Sequence, residues 1–225
     1  MKSLLLTERI NSIEWLRGIA SLGICEMHIF CAQDFFSATD TFFHTYIFPL
    51  SIIGRLGVAV FFVISGFIIP YSMWRRNYSI ANYFSFLTKR LIRLEPPYIL
   101  TIILSVLIAF ISTSIITNRI YEINWYNLAL HLGYLNVFFD NVWINPVFWT
   151  LAIEFQFYVL IGFLFPLISS RPNAPLLIVL SIISTIICLN NPAHHFIFIH
   201  IHLFIIGILC FQKFISKISP LSFGT

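Results

Sequence analysis

Ser12-Ile-Glu-Trp-Leu-Arg-Gly-Ile-Ala-Ser-Leu-Gly-Ile-Cys-Glu-Met-His-Ile-Phe30 has the length of a membrane-spanning helix, yet it carries Glu14, Arg17, Glu26 and His28. On insertion scales an Arg or Asp at the centre of such a helix costs about 2.5–3.5 kcal/mol, whereas each Leu or Ile returns only about 0.5 kcal/mol. A span this polar must turn its charges toward other helices or a water-filled cavity. Arg17 and His28 lie eleven residues apart. At about 100° per residue they return to nearly one face, about 16 Å apart along the axis. Glu14, Gly18, Ser21 and Cys25 continue that stripe, while Glu26 sits off it.

The rest of the chain gives this helix a membrane to sit in. Of 225 residues, 59% are apolar and only 10% charged, against about 25% charged in ordinary soluble domains. Mean hydropathy is +0.90. No soluble fold of this size hides so much apolar surface, so the surplus faces lipid. Apolar runs too long and too unalternating for barrel strands predict an all-α, polytopic transmembrane helix bundle. About six spans are expected: roughly 12–33, Leu56–Trp74, Pro96–Thr117, Asn145–Ile168, Ala174–Leu189 and His194–Phe211, the fifth being short. With no repeat or linker in the sequence, residues 1–225 read as a single domain.

A cytoplasmic N-terminus places Lys2, Arg9, Arg75, Arg76, Lys89, Arg90, Arg93, Arg171, Lys213 and Lys217 inside, and leaves Arg55 and Arg119 outside. The positive-inside rule selects that orientation. A retained N-terminus is expected, because no Ala-x-Ala-like cleavage site follows the first apolar stretch. The net charge of +4 reflects these short loops and predicts contact with membrane lipid, not with nucleic acid. The four cysteines, Cys25, Cys31, Cys188 and Cys210, show no CxxC spacing, so metal binding is not expected. Isolated apolar cysteines are the expectation, with a Cys31–Cys188 disulfide as the alternative. His194, His195, His200 and His202 look like a metal cluster, but on a helix positions 200 and 202 point about 160° apart. Structural roles are expected for them. The stretch Tyr126–Trp143, with His131, Tyr134, Asn136 and Asp140 among apolar residues, is too polar for a lipid-facing span. It is expected to be re-entrant or surface-lying, as part of an outward-facing acceptor site.

Three further stretches carry candidate chemistry. Gly57-Val-Ala-Val-Phe-Phe-Val-Ile-Ser-Gly-Phe67 is uncharged, with small residues that allow close helix approach. Lys89-Arg-Leu-Ile-Arg-Leu-Glu-Pro-Pro-Tyr98 sets Arg90 and Arg93 one turn apart on a common side. That fork suits phosphate, and equally suits lipid headgroups. Phe148-Trp-Thr-Leu-Ala-Ile-Glu-Phe-Gln-Phe-Tyr158 places Glu154 roughly 10 Å inside the outer edge, where a carboxylate is costly enough to be a functional candidate. Opposed helix directions put His28 and Glu154 at similar depth in the outer third, and Arg17 with Arg90 and Arg93 near the inner side.

Arg17 with His28 eleven positions on, Gly57-Val-x-x-Phe-Phe-Val-Ile-Ser-Gly-Phe67, Arg90-x-x-Arg93 and Trp149-Thr-Leu-Ala-Ile-Glu154 resemble, in order and internal spacing, the acyltransferase family 3 membrane O-acyltransferases. The resemblance implies transfer of an acetyl or other short acyl group from cytoplasmic acyl-CoA to a hydroxyl of an extracytoplasmic glycan, envelope polymer or lipid. It implies a multi-pass protein of the cell inner membrane and no metal. By it, His28 is the essential histidine, acting as general base or covalent acyl relay. Arg17 supports binding or histidine positioning, Arg90 and Arg93 hold acyl-CoA phosphates, and Glu154 is the motif's acid. Thr150 stands where that motif usually has Ser, and Phe155 where a second acid is common. The family usually has about ten spans, so a shortened chain is expected. Two other readings explain costly intramembrane charge: a transporter or channel lined by it, and a truncated, non-catalytic membrane subunit.

Overall fold

The computed structural model describes residues 11–30, 48–116, 122–139, 142–170, 174–190 and 196–218. These form seven α-helices and, among the described residues, no strand. They are α1 (Asn11–Phe30), α2 (Phe48–Arg75), α3 (Tyr83–Ile111), α4 (Trp125–Leu132), α5 (Phe148–Ser170), α6 (Ala174–Asn190) and α7 (Ile197–Ile218). The all-α expectation holds. Among the described residues, four stretches are long and apolar enough to cross a membrane: Leu56–Arg75, Ile80–Ile115, Phe148–Ser169 and Ile197–Ser216. The 17-residue α6 is apolar but shorter, and α1 has the length of a span with Glu14, Arg17 and Glu26 inside it. Cys31, Asp140, His194 and His195 lie outside the described residues. Cys25, Cys188 and Cys210 are free thiols.

The third span differs from its expected start. It does not begin at Pro96; α3 begins at Tyr83 and runs through Pro96 and Pro97. Two prolines inside a helix remove two hydrogen bonds to the preceding turn. Packing compensates on both sides of the break, since Tyr83, Tyr98 and Ile102 are all buried. The apolar stretch Ile80–Ile115 is 36 residues long, about 54 Å as a helix against a hydrocarbon core of about 30 Å. Its first turns, with Lys89, Arg90 and Arg93, therefore have length to spare beyond the lipid.

The chain divides into two compact units. The first comprises residues 1–77, 171–183 and 201–225. Within it α1 lies along α2 at close range: a methyl group on Gly57 would come within 2.8 Å of the Ala20 carbonyl oxygen. The α2–α7 crossing is closer still. A Cβ on Gly66 would collide with the Phe204 carbonyl, and one on Gly207 with the Val63 carbonyl. Glycine at both positions lets the backbones touch, as small residues do in membrane helix pairs. Phe62 and Phe204 stack beside the crossing at 4.8 Å.

The second unit comprises residues 78–170 and 184–200. It is built around α3 and α5, with a core of Tyr98, Ile102, Tyr134, Phe148 and Ala152. Here too a glycine admits a neighbour, since a Cβ on Gly162 would meet the Tyr83 ring at 2.6 Å. The Tyr78 hydroxyl donates to the Gly162 carbonyl at 2.9 Å. Gln156 Oε1 accepts from the Ile197 amide at 3.0 Å and so caps the start of α7.

Candidate active site

The sequence-predicted residues fall into the two units. Arg17 and His28 stand on α1 in the first. Arg17 is half-buried, its guanidinium 6.0 Å from the centroid of the Phe61 ring. Ser21 Oγ donates to the Arg17 carbonyl at 2.9 Å. Glu14, Gly18, Ser21, Cys25 and His28 are exposed, so most of the polar stripe looks away from α2, which instead covers Ala20 and Ile24.

Arg90, Arg93 and Glu154 belong to the second unit, on the paired helices α3 and α5. The Arg90 guanidinium lies between two rings, 5.5 Å from the centroids of Phe86 and of Tyr158. Contact with two ring faces holds a cation that would otherwise wander on a flexible stem. Tyr158 then donates its hydroxyl to Glu154 Oε1 at 2.5 Å, one turn along α5. Arg93, exposed, is within electrostatic reach of the same tyrosine. Cation, tyrosine and carboxylate thus follow one another along the helix pair, the cation nearer the N-terminal end of α3. The Thr150 hydroxyl is committed to the helix start, donating to the Val147 carbonyl at 2.8 Å. Phe155 stacks on Tyr134 at 5.0 Å.

Between α3 and α5 the chain inserts α4 and a turn, and this insert carries residues whose roles sequence reasoning missed. His131, expected on an outward acceptor surface, is fully buried and acts as a knot. Its Nδ1 pairs with the Asn127 carbonyl at 2.8 Å. Its Nε2 accepts from the Ile144 amide at 3.0 Å and faces the Asn136 amide nitrogen at 3.2 Å. Two donors at Nε2 fix the proton on Nδ1 and the ring as neutral. Burial lowers the His131 pKa, and the bond to the Asn127 carbonyl opposes this in part.

Tyr134 follows three residues on. The Leu135 amide reaches back to the Leu130 carbonyl at 2.8 Å and the Tyr134 amide to the His131 carbonyl at 3.0 Å. That pair of bonds ends α4 with a left-handed residue, usually glycine. Gly133 is available one position earlier, but the left-handed residue is Tyr134, at φ 56°. A side chain in that conformation costs about 1 kcal/mol. Its ring sits between Tyr98 at 4.8 Å and Phe155 at 5.0 Å. The Tyr98 hydroxyl in turn donates to the His131 carbonyl at 3.0 Å. The Tyr134 hydroxyl is buried and has the Glu95 carboxylate as its hydrogen-bonding neighbour. Burial raises its pKa first, and the Glu95 carboxylate raises it further by its charge and by the hydrogen bond it shares with the hydroxyl, with smaller contributions from Tyr98 and Glu154. Glu95 therefore converges with Glu154 on one tyrosine. The signal for it was in the sequence: one acid inside a basic run, directly before Pro96-Pro97.

Comparison with known proteins agrees with the reading of the motifs. A family model described as an acyltransferase domain matches residues 10–221. No curated protein and no solved structure matches the chain. The match takes in the charged first helix, the glycine crossing, the arginine pair and the Glu154 helix, which is to say all of the architecture above; the chain belongs to acyltransferase family 3, and is a membrane acyltransferase transferring groups other than amino-acyl groups.

Proposed function

We propose that the chain is an O-acyltransferase of the cell inner membrane that moves an acetyl or other short acyl group from cytoplasmic acyl-CoA to a hydroxyl of an extracytoplasmic glycan or envelope polymer. The observation that carries this reading is the order Arg90, Tyr158, Glu154 along α3 and α5, in which a ring-held cation leads to a carboxylate. Arg90 and Arg93 take the nucleotide phosphates of acyl-CoA, since a guanidinium pair suits them in charge and geometry. Arg17, on the first helix, supports substrate binding or the positioning of His28. The ~16 Å between Arg17 and His28 is of the order a pantetheine arm spans.

His28 acts as general base. Its imidazole takes the acceptor hydroxyl proton as the oxygen attacks the thioester carbonyl. The carbon–sulfur bond then breaks, and the proton passes to the departing CoA thiolate. Imidazole can accept and return a proton near neutral pH, and no metal is needed for the step. Glu154 orients the acceptor.

The experiment is acetyl transfer measured in membranes containing the chain, across a range of acetyl-CoA concentrations. Arg90→Ala with Arg93→Ala raises KM for acetyl-CoA by about tenfold or more, the worth of a charge-assisted hydrogen bond. An unchanged KM would contradict the phosphate role.

A further inference from the structure

Tyr158 makes two contacts that the packing of α5 does not require. It is 4% exposed, and its ring lies 5.5 Å from the Arg90 guanidinium, which α3 supplies. Its hydroxyl donates to Glu154 Oε1 at 2.5 Å. Residues four apart on a helix share a face, so this bond joins α5 to itself. Three other tyrosines of the same unit give their hydroxyls to backbone carbonyls of other segments: Tyr78 to Gly162, Tyr83 to Val159 and Tyr98 to His131. Those bonds tie one element to another. The Tyr158 bond ties no two elements; what it fixes is the direction of a carboxylate.

Glu154 is only partly buried, and a glutamate head on its flexible stem samples several rotamers unless something holds it. A hydrogen bond from a hydroxyl to an ionised carboxylate is about twice as strong as a neutral one and selects a single arrangement. Because the carboxylate is planar, fixing Oε1 fixes the direction of Oε2 as well. The ring serves the other end of the row. Phe86 and Arg90 stand one turn apart on α3, whereas Tyr158 comes from α5. Tyr158 is thus the ring that ties the cation to the helix of the acid, and it meets Phe86 edge to face at 6.5 Å.

We propose that Tyr158 is a positioning residue of the transfer reaction with two separable parts: its hydroxyl aims Glu154 at the acceptor, and its ring seats Arg90 for the phosphates of the donor. The proposal rests on the acyl-transfer reading for what Arg90 and Glu154 do. Its own content is that one buried side chain sets both. Removing the hydroxyl therefore acts on turnover, and removing the ring acts on donor binding as well.

The test is acetyl transfer to envelope material by the full chain in membranes, over a range of acetyl-CoA concentrations. Turnover is expressed per folded molecule, counted from the cooperative melt of the same preparation in detergent, so that lost folding moves neither kcat nor KM. Tyr158→Phe lowers kcat about tenfold, as for a hydrogen bond to a charged group, and leaves KM for acetyl-CoA within about twofold of wild type. Tyr158→Leu lowers kcat as far and also raises that KM about fivefold, as the cation loses its ring. Glu154→Asp, whose shorter stem draws back from the hydroxyl, loses turnover by itself, and Tyr158→Phe added to it lowers kcat by less than about twofold more. An undiminished kcat in Tyr158→Phe, a KM raised equally in Tyr158→Phe and Tyr158→Leu, or losses that multiply in full in the double variant would each overturn the proposal while wild-type transfer upholds the acyl-transfer reading. No transfer by wild type would overturn both.

Discussion

His131 shows how a polar residue in an apolar segment can be structural. With Nε2 accepting from the Ile144 amide and burial favouring the neutral ring, the folded state binds its proton less readily than the unfolded chain. Stability from this group is therefore full above the ordinary histidine pKa, about 6.5. It falls as pH drops below that value toward the lower folded-state pKa. Thermal unfolding of wild type at pH 5.5 and 7.5 will show the lower Tm at pH 5.5, with a smaller difference in His131→Gln. His131→Ala strands buried donors and costs about 2 kcal/mol, measurable as a loss of Tm at pH 7.5. Sequence alone gave His131 no such role, because the partners at Asn127, Asn136 and Ile144 are set by the loop's path. The Arg90–Arg93 spacing, by contrast, was legible from periodicity; the Phe86 and Tyr158 rings that hold Arg90 were not, since one of them comes from α5.

Helix existence was readable from hydropathy for every span, and the shortness of α6 was expected from its apolar run. Helix ends were harder. Pro96-Pro97 reads locally as a helix start, and only burial on both sides, at Tyr83 and Tyr98, keeps α3 continuous. The glycines of α2 and α7 can be sorted by what a side chain would meet. Gly66→Ala and Gly207→Ala drive a methyl into an opposing carbonyl, and each destabilises by about 1–3 kcal/mol as overpacking. Gly18→Ala on α1 meets nothing within 4 Å and gains up to about 1 kcal/mol from helix propensity. Thermal unfolding of the three variants in one detergent checks the contrast; equal effects would contradict the close α2–α7 crossing.

At the scale of the whole molecule, composition dictated a membrane bundle, and the order of four short motifs pointed to the family to which the chain belongs. The convergence of Glu95 and Glu154 on Tyr134 was not legible, because it depends on how α4 and its turn enter between α3 and α5. The central claim is that the charged first helix carries the histidine of an acyl-CoA-dependent transfer. Its most direct test is transfer of radiolabel from acetyl-CoA to envelope material in membranes holding equal amounts of wild type and His28→Ala. The account predicts saturable labelling by wild type and background labelling by the variant. Undiminished labelling by His28→Ala would contradict it.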